Sequence, residues 1–279
     1  MPPQMRDAPD SSILLIPHLM PAQSIDDVLT QLDRIIVDAR RKRSRLGYFA
    51  ALYRDVTARV KAAIEAGEFA DGPRMERLDV VFAQRYLDAL EAHETESGPP
   101  QAWARTFEAT ERWRPLILQH LLLGMNAHIN LDLGIAAAEV AKQNEISDLE
   151  ADFDQINRIL GAMIEDVQTR VAEVSPWIGV LDRLGGTADE VISNFCLTNA
   201  RNDAWDFAQT LAPLDSGERE VRIRTKDQET AQRTDKILRP GGLKLLPVLC
   251  WIRLWEDEHV PSVIDTLTAT SPGTEQTLP

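Results

Sequence analysis

The stretch "HLLLGMNAHINLDLG" (120–134) decides the fold. It sets two histidines, two asparagines and an aspartate among Leu121, Leu122, Leu123, Ile129, Leu131 and Leu133. At roughly 100° per residue those apolar side chains point in nearly every direction. A helix that is apolar almost all round belongs in the middle of a bundle. Pro115 suits a first helical turn, so the pattern predicts a buried central helix over 115–142.

Helical periodicity continues on both sides of this axis. Ser24 caps a helix to about Arg41 that carries Ile25, Val28, Leu32, Ile35 and Ile36 on one side. A second helix runs from about Gly47 to Gly67. Pro73 opens a third, with Met75, Leu78, Phe82, Tyr86 and Leu90 on one side. "TESGPP" (95–100) is a loop, and Gln101–Arg112 a short helix. Ser147 with Glu150 forms a capping box for a helix to about Val174. Pro176 restarts a short helix that ends at Gly185-Gly186, and Thr187 with Glu190 caps the next, to about Leu211. "EVRIR" (220–224) alternates with period two over too few residues for a strand. "RPGG" (239–242) is a turn, and Pro247 bends the last apolar helix. The expected fold is therefore all-α: a single-domain multi-helix bundle of about eight to ten helices spanning 24–267. Residues 1–23 form an N-terminal extension, 213–241 a charged insertion, and 268–279 a disordered tail.

The chain has 279 residues, of which 44% are hydrophobic and 27% charged, with a formal net charge of -14. Such acidity disfavours phosphate backbones and anionic lipid, so neither nucleic acid nor membrane is an expected partner. The basic run Arg40–Arg43 with Arg45 reads as a solvated helix end. Cys196 and Cys250 are far apart in apolar contexts, which suits buried free thiols in a reducing compartment. No run of about 18 consecutive apolar residues and no signal peptide is visible, so the expected location is cytoplasmic. No GxSxG, P-loop or dinucleotide fingerprint occurs, and no nucleotide cofactor is expected.

The polar residues of the central helix fall into two groups. With His120 at zero, His128 lies near ~80°, Asp132 near ~120° and Glu139 near ~100°, with Gly124 opening space near ~40°. Asn126 and Asn130 share another face, near ~240° and ~280°. An unpaired buried amide or imidazole costs on the order of 1–3 kcal/mol, so these groups need partners.

Three functions follow. In the first, His128 and Asp132 hold zinc or another divalent metal in an HxxxD pair, with His120 and Asp79 as further ligands. A metal-bound water would then act as the nucleophile of a hydrolase on a small organic or phosphate-containing substrate, with Glu139 as general base. In the second, a metal-free pocket binds or isomerises a small molecule. There His120 and His128 exchange protons, Tyr86, Asn126, Asn130 and Asn157 orient the ligand, and Arg201 with Trp205 anchors an anionic group. In the third, the polar stripe is core wiring in a structural or partner-binding protein. Homo-oligomers suit any of the three. Asp152 and Asp154 read as acids favouring a helix dipole, and Trp251 with Trp255 as core or interface.

"LDVVFAQRYLDAL", "LQHLLLGMNAHINLDLGIAAA", "DFDQINRIL" and "ARNDAWDFAQTLA" together resemble an uncharacterised bacterial family, a numbered domain of unknown function, over roughly 45–265. The resemblance implies Asp79, Arg85, Tyr86, His120, Asn126, His128, Asn130, Asp132, Asp152, Asn157, Arg201 and Trp205 as pocket residues without assigned roles. "GMNAHINLD" is more faintly similar to the helix of zinc-dependent phospholipases C and single-strand nucleases, which are all-α enzymes with several zinc ions. Those enzymes place a histidine a few residues after the aspartate, and Leu133–Ala138 contains none. The similarity thus implies one or two ions at most.

Overall fold

A computed structural model describes residues 20–141, 146–175, 197–239 and 246–269. Among them are eleven α-helical segments and no strand, as expected of an all-α chain. These are α1 (Ile25–Lys42), α2 (Leu46–Glu65), α3 (Gly72–Glu94), α4 (Gln101–Thr110), α5 (Ile117–Ala127), α6 (Gly134–Val140), α7 (Glu150–Val174), α8 (Leu197–Leu211), α9 (Ser216–Leu238), α10 (Leu246–Arg253) and α11 (Val260–Thr268). The helix restarting at Pro176, the Thr187/Glu190 capping box, Gly185-Gly186 and Cys196 lie outside the described residues.

The local signals act where the sequence places them. Ser24 accepts from the Asp27 amide at the start of α1, and Arg43 ends that helix in the left-handed region, at φ 54°. Asp71 accepts from the Arg74 amide, with Pro73 in the first turn of α3. One cap differs: Ser147 sits in a 3-10 turn (Ile146–Leu149), and α7 starts without a side-chain cap.

The central helix is the main departure. Instead of one α-helix over 115–142, α5 passes into a π turn, His128–Leu133, before α6 resumes. Each residue of that turn is buried. α2, α4 and α9 pack on α5, α3 and α8 on α6, and α3, α8 and α9 reach the π turn between them. By length and composition Ile117–Val140 would cross a bilayer, yet 89% of its most apolar window is buried inside the fold.

Two glycines let neighbours approach this axis. A Cβ on Gly124 would lie 2.3 Å from the Phe49 ring, and one on Gly134 2.7 Å from the Ala204 carbonyl oxygen of α8. At the other end, the buried Glu256 carboxylate accepts from the Ile117 amide at 3.1 Å, capping α5 from 139 residues away in sequence. The charged 213–241 stretch contains α9, whose Thr230, Thr234 and Ile237 face inward. Its Asp227 carboxylate accepts from the Gln101 and Ala102 amides, both at 2.8 Å, and so caps α4.

One expectation about burial is overturned and another is narrowed. Cys250 is exposed. Trp251 and Trp255 are more than half exposed, so of the two readings, core or interface, the core is excluded.

Candidate functional site

The π turn brings His128 and Asp132 to one side of the axis, facing α2, α3 and α4. Asp132 is fully buried. Its Oδ1 accepts from Arg85 Nε at 3.1 Å, and its Oδ2 accepts from Trp103 Nε1 at 2.8 Å and faces His128 Nδ1 at 3.2 Å. Guanidinium and indole nitrogens only donate, so this carboxylate acts as an acceptor throughout. The proton of the neutral imidazole therefore sits on Nδ1, which leaves the Nε2 lone pair free. Burial lowers the His128 pKa from its ordinary value, and the Asp132 hydrogen bond opposes that fall.

Five rings wall the imidazole. Phe82 lies nearly parallel to it with centroids 3.5 Å apart, and Tyr53 meets it edge-on at 4.5 Å. Phe49, Trp103 and Tyr86 stand 5.7, 6.0 and 6.2 Å away. Within this apolar box His128 Nε2 has no hydrogen-bond partner among the described residues, nor has Asp79 Oδ2 on neighbouring α3, while the Tyr53 hydroxyl lies in reach of the Thr57 hydroxyl and of the Asp79 charge. Buried polar atoms are ordinarily satisfied, so an imidazole nitrogen left bare in the middle of a π turn needs a physical reason. π turns inside α-helices also occur frequently at functional sites.

The electrostatics follow from burial. The Asp79 carboxyl is pushed up to about 7, first by desolvation and then by the charge of Glu76. The Tyr53 hydroxyl is raised well above its usual value, chiefly by burial and next by Asp79, which places the two groups within reach of each other's charge. Asp79 thus keeps its proton to about pH 7 in the fold, against 3.8 in its ordinary environment. Between those values the folded state binds more protons than the unfolded one, so stability from this group falls as pH rises. Asp79→Asn removes that dependence. Relative to the wild type, the variant is expected to gain stability from pH 4 to pH 8, by at most about 4 kcal/mol. Urea unfolding of both proteins across that range measures it. A difference that stays flat with pH would show that Asp79 is not held protonated.

The remaining candidates divide among other places. His120 is buried against Tyr48, ring centroids 5.8 Å apart, and burial with the charges of Arg45 and Arg253 drives its pKa down to about 3. It lies among different neighbours from His128. Glu139 is 43% exposed and stands 3.7 Å from Arg85 on the outer side, because the π turn breaks the 100° register that put it in the stripe. Asn126 donates to the Thr230 carbonyl and accepts from Asn130, whose own oxygen accepts from Arg233 at 2.7 Å. The two asparagines therefore bind the axis to α9.

Arg201 donates to Asn157 and to the Phe153 carbonyl and lies over the Phe153 ring at 4.4 Å, and the Trp205 ring is tilted against Phe153 with centroids 4.9 Å apart. That group joins α8 to α7. Burial lowers the Arg201 pKa to about 10. Asp152 does more than favour a helix dipole: its carboxylate accepts from the Ala70 and Asp71 amides and staples the α2–α3 turn.

The donor set for a metal does not assemble as the HxxxD spacing suggested. Both Asp132 oxygens are occupied, and among the described residues no three His, Cys, Asp or Glu side chains come close enough to share an ion. The site does gather His128, Asp132, Asp79, Tyr86 and Arg85. It adds Phe49, Tyr53, Phe82 and Trp103, which come from three other helices with nothing local in the sequence to pair them with His128.

The chain belongs to the Family of unknown function (DUF5995), which matches residues 25–240. No curated protein and no solved structure matches it.

Proposed function

Starting from membership of a family without an assigned activity, we propose that this protein binds a small organic molecule in a metal-free interior pocket and moves a proton on it with His128. The observation that carries the reading is the state of the imidazole. One nitrogen faces a buried carboxylate at 3.2 Å, while the other is buried without a partner among the described residues, and the Tyr53 ring meets the imidazole edge-on. An imidazole oriented in this way by a buried acid is a general base. Nε2 would take a proton from the ligand, Asp132 would stabilise the imidazolium through Nδ1–H, and the Tyr53 hydroxyl, which holds its proton, would donate to an oxygen or nitrogen of the ligand. Return of the same proton to another atom completes an isomerisation, with nothing gained or lost. Entry is through Phe82, which is only half-buried and covers the imidazole face. Metal-assisted hydrolysis has less support, since Asp132 is committed to three side chains.

Nitrogen NMR of the histidine rings tests the reading. The expected result is a neutral His128 protonated on Nδ1 at pH 7, whose Nε2 resonance moves with members of a small-molecule library and moves at lower concentrations in Phe82→Ala. A ring protonated on Nε2, or a resonance that no compound shifts in either protein, would overturn it.

A further inference from the structure

We infer that the ligand of the His128 site is a small organic cation, an amine whose ammonium pairs with Asp79 and lies against the rings of Tyr53 and Phe82. This rests on the proposed pocket and specifies the chemistry it accepts. The unpartnered atoms are the starting point. His128 Nε2 is an acceptor, and Asp79 Oδ2 becomes one as its carboxyl ionises above about pH 7. A group that satisfies two acceptors at once must bring several N–H or O–H donors, and an ammonium brings up to three.

Charge points the same way. Asp79 is buried with no ion pair among the described residues, and the charge that acts on it is that of another acid, Glu76. Two arginines of α3 are engaged elsewhere: Arg85 is turned to Asp132 and Glu139, and Arg74 to Asp71 and Asp152. A buried carboxyl that lacks a cation weakens the fold at neutral pH, and among the described residues no backbone amide or guanidinium reaches its Oδ2.

The walls also suit a cation. Phe82 follows Asp79 by three residues on α3, so carboxyl and ring share a face, and the Tyr53 ring stands 6.0 Å from that of Phe82. Aromatic faces attract ammonium groups, most strongly where water is excluded. Outside, a cavity of about 390 Å³ between α3 and α6 is lined by Glu76, Val80 and Glu139, together with Arg77. Two acids at its edge and a net charge of -14 favour approach by cations over anions.

The experiment is calorimetric titration of the full chain at pH 8 with butylamine, tetramethylammonium and phenethylamine, alongside butyrate and phenylpropionate. Wild type is expected to bind at least one amine, with affinity lowered at least tenfold in Asp79→Asn and no heat from the carboxylates. The variant's thermal unfolding confirms that it is folded. Binding of the carboxylates, or equal amine binding by Asp79→Asn, would overturn the cation while leaving the pocket in place. If no amine or carboxylate binds while other compounds shift the His128 resonance, the cation again fails alone. If that resonance is also unmoved by every compound, the pocket falls with it, and the orphaned atoms are then satisfied by water only.

Discussion

Asp132→Ala will cost about 3–5 kcal/mol of folding stability, the loss expected when one partner of a buried charged network is removed. The carboxylate is fully buried and serves Arg85, Trp103 and His128 at distances of 3.1, 2.8 and 3.2 Å. Its removal leaves an indole N–H and an imidazole N–H without an acceptor in the driest part of the molecule. It also leaves the guanidinium, among the described residues, with only Glu139, 3.7 Å away and partly exposed. Asp132→Asn keeps the volume and one accepting oxygen but turns an amide N–H toward a donor, so it should cost less, about 2 kcal/mol. Urea unfolding of the three proteins, with unchanged slopes, measures both. A loss below about 1 kcal/mol for the alanine variant would mean that water replaces the carboxylate and that the site is open. The histidine tautomer supplies a second readout, because without Asp132 nothing holds the proton on Nδ1.

Gly124→Ala will destabilise by about 3 kcal/mol, at the upper end of what overpacking by one methyl costs. The added carbon would sit 2.3 Å from Phe49 Cδ2, 2.4 Å from Cγ and 2.9 Å from Cβ. Contact that reaches back to Cβ cannot be relieved by a ring flip; α2 itself must shift from α5. Phe49 touches Tyr53, Tyr86, Trp103 and His128, so the displacement spreads through the box. Chemical-shift changes at His128 should therefore accompany the stability loss. Gly161→Ala is the internal comparison. That glycine is exposed inside α7 with nothing within 4 Å of an added Cβ, and alanine there should stabilise by about 0.5–1 kcal/mol. Equal effects at the two positions would show that the α2–α5 approach is loose.

The candidate site was only partly legible. His128 and Asp132 stood out because an imidazole and a carboxylate four residues apart in a leucine-rich run carry a cost that must be met. Asp79 stood out because it shares a helix face with Phe82 and Tyr86. What those residues do was not legible. The HxxxD spacing suits a metal as well as an Asp–His pair, and the choice turned on Arg85 and Trp103, which arrive from α3 and α4 to occupy the carboxylate. Nothing in the sequence around Tyr53 or Thr57 marks either as part of a site. Their hydroxyls gain meaning only once α2 sets them beside α3.

Hydrophobic period, caps and breakers fixed the class of fold, the helix boundaries around Ser24, Pro73 and "TESGPP", and the burial of the 120–134 run. Those are properties of short segments, set by backbone geometry and the removal of apolar surface from water. The π turn, the departure of His120 and Glu139 from the stripe, the bonding of Asn126 and Asn130 to α9, and the capping of α4 and α5 by Asp227 and Glu256 were decided by tertiary structure alone. Each depends on a donor or acceptor more than 100 residues away, or on a one-residue change in helical register. A local pattern can announce that a polar group is buried, but only the packed neighbours determine what satisfies it.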